Sequence, residues 1–427
     1  MYVADSRAVA SADGAVRPPA GRRRAAVAPT VLALGTVSLV TDVSSEMVTA
    51  VMPLYLVTGL GLSPLGFGLL DGIYNGFSAL VRLVGGHLAD RGGGRHKWVA
   101  GLGYALSAAC KPLLLVAHSL TPIGLVLAAD RTGKGLRTAP RDALISLAST
   151  TESRGRAFGV HRAMDTAGAL LGPLAAFLVL RATVDGYDAV FTVSFCVAVL
   201  GVLVLVLFVP GARRGGGPRG PATTSAAPAE RPTLRAAVRL LRRRDLRRIT
   251  VCALLLGLAT VSDSFVYLLL QRRLGVPDRW FALLPLGTAA AFLLLAVPLG
   301  RLADRVGRWT VFLAGHGALL LAYGLLLTSW HGTALPYAVL ALHGGFYAAT
   351  DGVLMAAASD GVPEALRSSG LAVVQTGQAL ARFACSLLFG AAWTAWGDRT
   401  ALAGAAVALA ACAAFSLTLR PKEPVTA

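Results

Sequence analysis

Residues 85–97 read GGHLADRGGGRHK and residues 300–308 read GRLADRVGR. Each phrase lies between two long apolar runs, so a chain otherwise poor in charge carries one charged, glycine-rich phrase twice. The two aspartates, Asp90 and Asp304, stand 214 positions apart, and Arg154 and Arg367 stand 213 apart. Thr41-Asp42 in the first apolar run likewise resembles Ser262-Asp263 in the seventh. One half of the chain repeats the other.

Of the 427 residues, 55% are hydrophobic and 15% charged, and the mean hydropathy is +0.64; a soluble domain carries roughly a quarter charged residues. The apolar runs are long enough to cross a hydrocarbon core of ~30 Å as helices. Bounded by Gly, Pro and charge clusters, they predict spans near 29–57, 65–89, 98–118, 121–147, 157–180, 188–209, 249–271, 280–301, 309–329, 335–358, 367–392 and 399–419. Backbone polar groups in lipid must pair within their own segment or around a closed barrel, and runs of this length fit helices. The expected fold is therefore an all-α polytopic membrane protein of twelve transmembrane helices in two pseudo-symmetric six-helix halves. Its expected parts are a tail 1–28, a half 29–209, a basic linker 210–248, a half 249–419 and a tail 420–427.

The net charge of +18 is concentrated at the ends of the spans. Arg22, Arg23 and Arg24 precede the first; Arg91, Arg95 and Lys97 follow the second; Arg154 and Arg156 follow the fourth; Arg301, Arg305 and Arg308 follow the eighth; Arg420 and Lys422 follow the last. The odd-numbered connections are poorer in Lys and Arg, with Arg272, Arg273 and Arg279 the main exceptions; this positive-inside pattern puts both termini and the central loop in the cytoplasm of a multi-pass protein of the inner or plasma membrane. It makes the lipid bilayer, and not nucleic acid, the partner of these charges. The linker opens flexible and Gly/Pro-rich, then turns basic and amphipathic near Leu234–Arg248, where it either sets topology alone or lies on anionic lipid. The apolar stretch after GRRRAAVAPTVLALG continues past Asp42 and Glu46 without a small-residue cleavage site and reads as a retained first helix. Five cysteines are scattered singly through the spans, which gives neither metal spacing nor a disulfide framework. GGG at 92–94 and GKG at 133–135 are too short and wrongly placed for a phosphate loop, so no enzyme, metal or cofactor is expected.

The repeated phrase resembles the signature loop of the major facilitator superfamily, over nearly the whole chain. Gly86, Asp90, Arg91 and Arg95 match the loop after helix 2, with one extra glycine between Asp and the last Arg. Gly300, Asp304, Arg305, Gly307 and Arg308 match the second copy without that insertion. RTGKGLRTA, 131–139, is similar to the family's helix-4 motif, with Lys134 where Gln is usual. GALLGP, 168–173, resembles its helix-5 antiporter motif at Gly168, Gly172 and Pro173, with Ala176 and Phe177 in place of the closing glycines. DVSSEM (42–47), DRTGKGLRTAPRDALI (130–145) and FGVHRAMDTAGALLGP (158–173) are similar to a prokaryotic subgroup of the superfamily. The resemblance implies alternating access by two rocking halves. It also implies a gating loop whose Asp90 faces the N-terminus of helix 11 near Arg367, and, from the helix-5 motif, proton-driven export. The same helix-5 glycines also serve packing, since spacing by four lets helices approach closely.

Ionisable residues inside spans are expensive and mark function. Residues three, four, seven or eleven apart share a helical face. That aligns Asp42 and Glu46 on helix 1; Asp71, Asn75 and Arg82 on helix 2; Arg131, Lys134 and Arg141, with Asp142 beside them, on helix 4; and His161 and Asp165 on helix 5. In the second half it aligns Asp263 with Tyr267, His343 with Tyr347 and Asp351, and Gln375 with Gln378 and Arg382. The expected substrate cavity comprises Asp71, Asn75, Arg82, Arg131, Lys134, Asp263, Tyr267, Tyr347, Gln375, Gln378 and Arg382. Arg141, Asp142, His161 and Arg367 are expected in an ion-pair network nearer the cytoplasm.

A proton-coupling group must bind and release a proton as the cavity changes sides, and Asp42, Glu46 and Asp165 are the candidates. The reading is a monomeric secondary transporter exporting a small organic molecule against protons. Uptake of an anionic or zwitterionic solute and a non-transporting membrane sensor or assembly partner are the alternatives.

Overall fold

The computed structural model describes residues 27–91, 96–150, 153–184, 186–210, 244–330, 332–360 and 367–419, and for 78–80, 82–91, 245, 352, 356–360 and 367–373 only the backbone. The described residues contain helices and no strand. The first group runs α1 (Pro29–Leu54), α2 (Pro64–Arg91), α3 (His96–Val116), α4 (Leu120–Leu147), α5 (Arg154–Ala182) and α6 (Gly186–Phe208). The second runs α7 (Arg244–Ala259), α8 (Asp263–Leu274), α9 (Asp278–Phe281), α10 (Leu284–Val306), α11 (Arg308–Leu327), α12 (Leu335–Asp360), α13 (Arg367–Trp396) and α14 (Asp398–Thr418). Ten segments are long and apolar enough to cross a membrane, α7–α8 and α9–α10 each counting as one. Helices α2 and α4, 28 residues each, pack in the same bundle but carry more polar residues. Large apolar side chains such as Leu207, Leu294 and Val407 face outward, while Asp42, Asp71, Lys111, Asp130, Arg131 and Arg137 are buried. This is the distribution that lipid imposes.

The spans follow the apolar runs closely, with two differences. Pro53 interrupts the hydrogen-bond ladder of α1, and a π-helical turn, Tyr55–Gly59, follows it. The seventh span is broken at residues 260–262, because Thr260 turns back to bond Leu256 O at 2.8 Å and Tyr323 Oη takes the Val261 N–H at 2.8 Å. Ser262 then starts α8 with Asp263 in its first turn.

Within the first group α1 packs on α5 and α6, and α4 on α2 and α3. Within the second, α12 packs on α10 and α11, and α13 on α7 and α14. The main contact between groups is α2 against α13. A Cβ at Gly390 would lie 2.5 Å from Pro64 O, and one at Gly72 3.0 Å from the Phe383 ring and 3.2 Å from its carbonyl oxygen. The two backbones therefore touch. The Leu65 N–H donates to Thr394 Oγ1 at 3.0 Å, and Phe67, Phe265, Phe389 and Trp393 form an aromatic cluster across α2, α8 and α13. Phe177 of α5 meets Trp280 of α9 with ring centroids 5.0 Å apart. The α2 contacts run from Pro64 to Gly72, in the half of the bundle where α2 begins, so the groups are closed there.

The second copy of the repeated phrase ends α10. Gly307 has φ +98°, a conformation only glycine adopts freely, and the chain turns there directly into α11. Asp304 is exposed, with Arg308 Nη2 3.9 Å from it. In the first copy Gly86, Asp90 and Arg91 close α2 as backbone only, and Arg95 lies outside the described residues. The tail 1–26, the linker 211–243 and the tail 420–427 also lie outside them.

Candidate functional site

A cavity of about 380 Å³ opens between the two groups. Helices α1 and α2 bring Glu46, Thr49, Tyr74 and Asn75 to it. The break before α8 brings Thr260–Ser262 and Asp263, α10 brings Thr288 and Phe292, α12 brings Tyr347 and Asp351, and α13 brings Arg382. A broken helix at such a place is how transporters turn backbone polarity toward a ligand.

In the second group Tyr347 Oη donates a short hydrogen bond to Asp263 Oδ1. The buried His343 has Nε2 3.5 Å from the same oxygen. Arg382 Nη2 stands 3.8 Å from Asp351 Oδ1, its guanidinium 5.9 Å from the Tyr347 ring. Tyr267 Oη donates to Thr288 Oγ1 at 2.9 Å. In the first group Glu46 has Lys134 Nζ at 3.8 Å, and Thr49 Oγ1 and Tyr74 Oη lie 2.6 Å apart.

Behind Tyr74 the first group holds a denser set of charges. Arg131 stacks on the Tyr74 ring at 3.7 Å, and Asp130 bridges Arg131 at 2.8 Å and Lys111 of α3 at 2.9 Å. All three ions are buried. Deeper along α1, Arg137 Nη2 donates to Asp42 Oδ1 at 3.1 Å and lies 4.5 Å from the Tyr104 ring. Nearer the end bearing the repeated phrase, Arg141 holds Asp142 at 3.1 Å and Asp165 at 3.6 Å, with Arg162 3.7 Å from Asp165. His161 Nε2 and Ser38 Oγ lie 2.9 Å apart, and Arg141 reaches that hydroxyl at 3.4 Å.

The candidates thus fall into three places. Glu46, Asn75, Asp263, Tyr267, Tyr347 and Arg382 line the cavity. Arg131 stands behind Tyr74. Neither Lys134 nor the pair Gln375 and Gln378 is among the lining residues. Asp71 borders a separate void of about 30 Å³, where Ser386 Oγ of α13 donates to its carboxylate at 2.6 Å across the two groups. Asp42 and Asp165 sit in ion pairs away from the cavity. Arg82 and Arg367 are described by backbone alone.

Gly168 and Gly172 press α5 onto α1, where a Cβ at Gly172 would lie 2.6 Å from Glu46 Cβ, and Pro173 continues the same helix. The helix-4 and helix-5 motifs therefore frame Glu46 from two sides.

Sequence reasoning passed over Lys111, Asp130 and Arg137. A lone lysine in AACKPLLLV and an aspartate beside Arg131 were the available signals, since a charge in an apolar run needs a partner. Ser386 had no such signal, because its role exists only where α2 meets α13.

Two helical groups in a membrane, closed against each other at one end around a polar cavity, define a carrier that works between two faces. The chain belongs to the Major Facilitator Superfamily, whose family model matches residues 34–386 and 281–427. An uncharacterized MFS-type transporter of Methanocaldococcus jannaschii is 28% identical over 389 residues, 89% of this chain and 92% of that one. An uncharacterized protein of Mycobacterium tuberculosis is 35% identical over 157 residues, 37% of this chain and 38% of its own length. Among solved structures, the nucleoside transporter NupG superposes with TM-score 0.76 at 13% identity, covering 91% of this chain and 98% of that one. A bacterial homologue of the human lysosomal transporter Spinster, in an inward-facing and unoccupied conformation, superposes with TM-score 0.74 at 17% identity, covering 91% and 96%. These structures share the fold. The chain is a multi-pass membrane protein of a transporter family.

Proposed function

We propose that the chain exports a small organic molecule in exchange for protons, through twelve crossings with both termini in the cytoplasm, with Glu46 as the coupling carboxylate. One observation carries this: of the three carboxylates considered for the role, Glu46 alone lines the cavity. Its cation, Lys134, is held only at 3.8 Å, so substrate and proton can compete for it. Asp42 has a buried guanidinium at 3.1 Å and faces the Asp165 carboxylate, which has two arginines of its own; this cluster lies away from the cavity. The close packing of α5 on α1 at Gly168 and Gly172 puts the helix-5 motif directly against the helix that bears Glu46, which supports export as the direction. Uptake of an anion drew on Arg82, Arg131, Lys134 and Arg382. Of these only Arg382 is among the described cavity residues, Lys134 stands 3.8 Å from the lining Glu46, and Arg82 is described by backbone alone; the described lining therefore supports export more than uptake.

The test is expression in a host lacking its own efflux pumps, with accumulation of a compound panel measured with and without a protonophore. Export predicts lower accumulation, restored by the protonophore, and restored equally by Glu46→Gln. Higher accumulation, or full proton-driven export by Glu46→Gln, overturns the proposal.

A further inference from the structure

Among the described lining residues the charge is not balanced, and the imbalance has a location. Among the described lining residues there are three carboxylates, Glu46, Asp263 and Asp351, and one guanidinium, Arg382. Arg382 stands 3.8 Å from Asp351, and Glu46 is 3.8 Å from Lys134. Asp263 is different. Among the described residues it has no Lys or Arg within 4.0 Å; its partners are the Tyr347 hydroxyl and the His343 imidazole Nε2 named above, the latter at a distance long for a hydrogen bond.

The internal repeat sharpens the contrast. Each group carries an aspartate on its first span, and each aspartate meets the fourth span of its own group. In the first group that partner is Arg137, at 3.1 Å from Asp42, and the pair is buried. In the second group the fourth span offers Tyr347 where the first offers a guanidinium, and the Asp263 side chain keeps 41% of its surface exposed. One aspartate is neutralised by the fold, and the other is left facing the cavity with a fixed hydroxyl to orient it.

We infer that Asp263 is the seat of a positively charged nitrogen, and that the substrate is an organic amine: a protonated ammonium on an apolar or aromatic body. This rests on the transport reading above and names its substrate class. The ammonium donates to Asp263 and completes the charge that Tyr347 leaves open. The faces of Tyr267 and Tyr347 and the ring of Phe292 receive the body, and tyrosine rings also attract a cation. A carboxylate on the ligand would have to displace Asp351 from Arg382, so a simple anion is disfavoured and the amine is the determinant. The cavity volume of about 380 Å³ falls in the range of sites for small organic ligands.

The test uses three ligands of one skeleton: 2-phenylethylamine, 2-phenylethanol and 3-phenylpropionate, bound to the purified full chain in lipid nanodiscs and followed by calorimetry and by the rise in unfolding midpoint. The amine is expected to bind tightest, with Asp263→Asn weakening it about tenfold or more while leaving the alcohol unchanged. Asp263→Glu, which keeps the charge, should retain most of the preference, and Asp351→Asn should retain the amine's lead. Equal binding of all three, zero included, a preference for the propionate, or unchanged amine binding by a folded Asp263→Asn overturns the inference. Because binding is read without a proton gradient, failure of proton-driven export in cells leaves this result standing, and failure here leaves export standing.

Discussion

Substituting Gly390 by alanine tests whether the contact of α2 with α13 is a gate. The added Cβ would lie 2.5 Å from Pro64 O and 3.2 Å from Leu65 Cα. Both are backbone atoms, which cannot rotate away as a side chain does, so the helices must part by roughly 1 Å to reach ordinary contact. Overpacking of this kind costs about 1–3 kcal/mol. The cost falls only on the arrangement in which the groups are closed at this end. An alternating carrier answers such a cost by spending more time in the opposite arrangement, with a shift of roughly 5–150-fold in the ratio of the two.

The assay places a reporter in the cavity, Ala289→Cys, in a chain whose Cys196 and Cys412, the two cysteines that are not buried, are replaced by serine. A membrane-impermeant maleimide is added to whole cells, the side on which the charge asymmetry puts the start of α2. Gly390→Ala is expected to raise the labelling rate at least about fivefold. Gly404→Ala on α14, where an added Cβ meets nothing within 4 Å, serves as the control and should not. Labelling by Gly390→Ala at the parental rate, in folded protein, would refute the reasoning, because the clash would then have been absorbed without opening the gate.

Two further outcomes follow from the buried ions. Asp130→Asn leaves Lys111 and Arg131 buried with their shared carboxylate gone and should cost about 3–5 kcal/mol of stability, read as a lower unfolding midpoint in detergent. Adding Lys111→Met should recover part of that loss, and strict additivity of the two changes would argue against the bridge. Asp42→Asn should destabilise in the same way through Arg137 yet leave protonophore-sensitive export measurable in the folded fraction. Glu46→Gln should do the reverse, keeping the stability within about 0.5 kcal/mol of the parent while losing coupled export.

The fold was legible because lipid leaves a chain few choices: runs of apolar residues between charge clusters mark their own ends. The helix boundaries near 29, 120, 335 and 398 fall within a residue or two of where the apolar runs begin. The break at 260–262 was not legible. No proline marks it, and it depends on Tyr323, some sixty residues later, supplying a hydroxyl to the Val261 N–H.

The site was legible by helical face but not by depth. The stripe Asp263–Tyr267 and the stripe His343–Tyr347–Asp351 do converge, because spacing fixes which side of a helix a residue takes. Arg131 shares a stripe with Lys134, yet it is turned behind Tyr74 and claimed by Asp130. Periodicity cannot tell a side chain that faces a cavity from one that faces a neighbouring helix through a thin aromatic wall. That distinction is made by partners on α2 and α3, far away in sequence.

The cluster of Lys111, Asp130 and Arg131 also bears on how the protein is made. Such a charge costs about 2.5–3.5 kcal/mol at the centre of a helix that enters the bilayer alone, and α4 carries Lys134, Arg137, Arg141 and Asp142 besides Asp130 and Arg131, so insertion of α3 and α4 one at a time is opposed. The two helices are joined by three residues, Ala117–Ser119, and their charges neutralise one another once the pair is folded. Entry as a hairpin would bring Lys111 to Asp130 before either helix met lipid alone, so the charge cluster favours insertion of α3 and α4 as a pair.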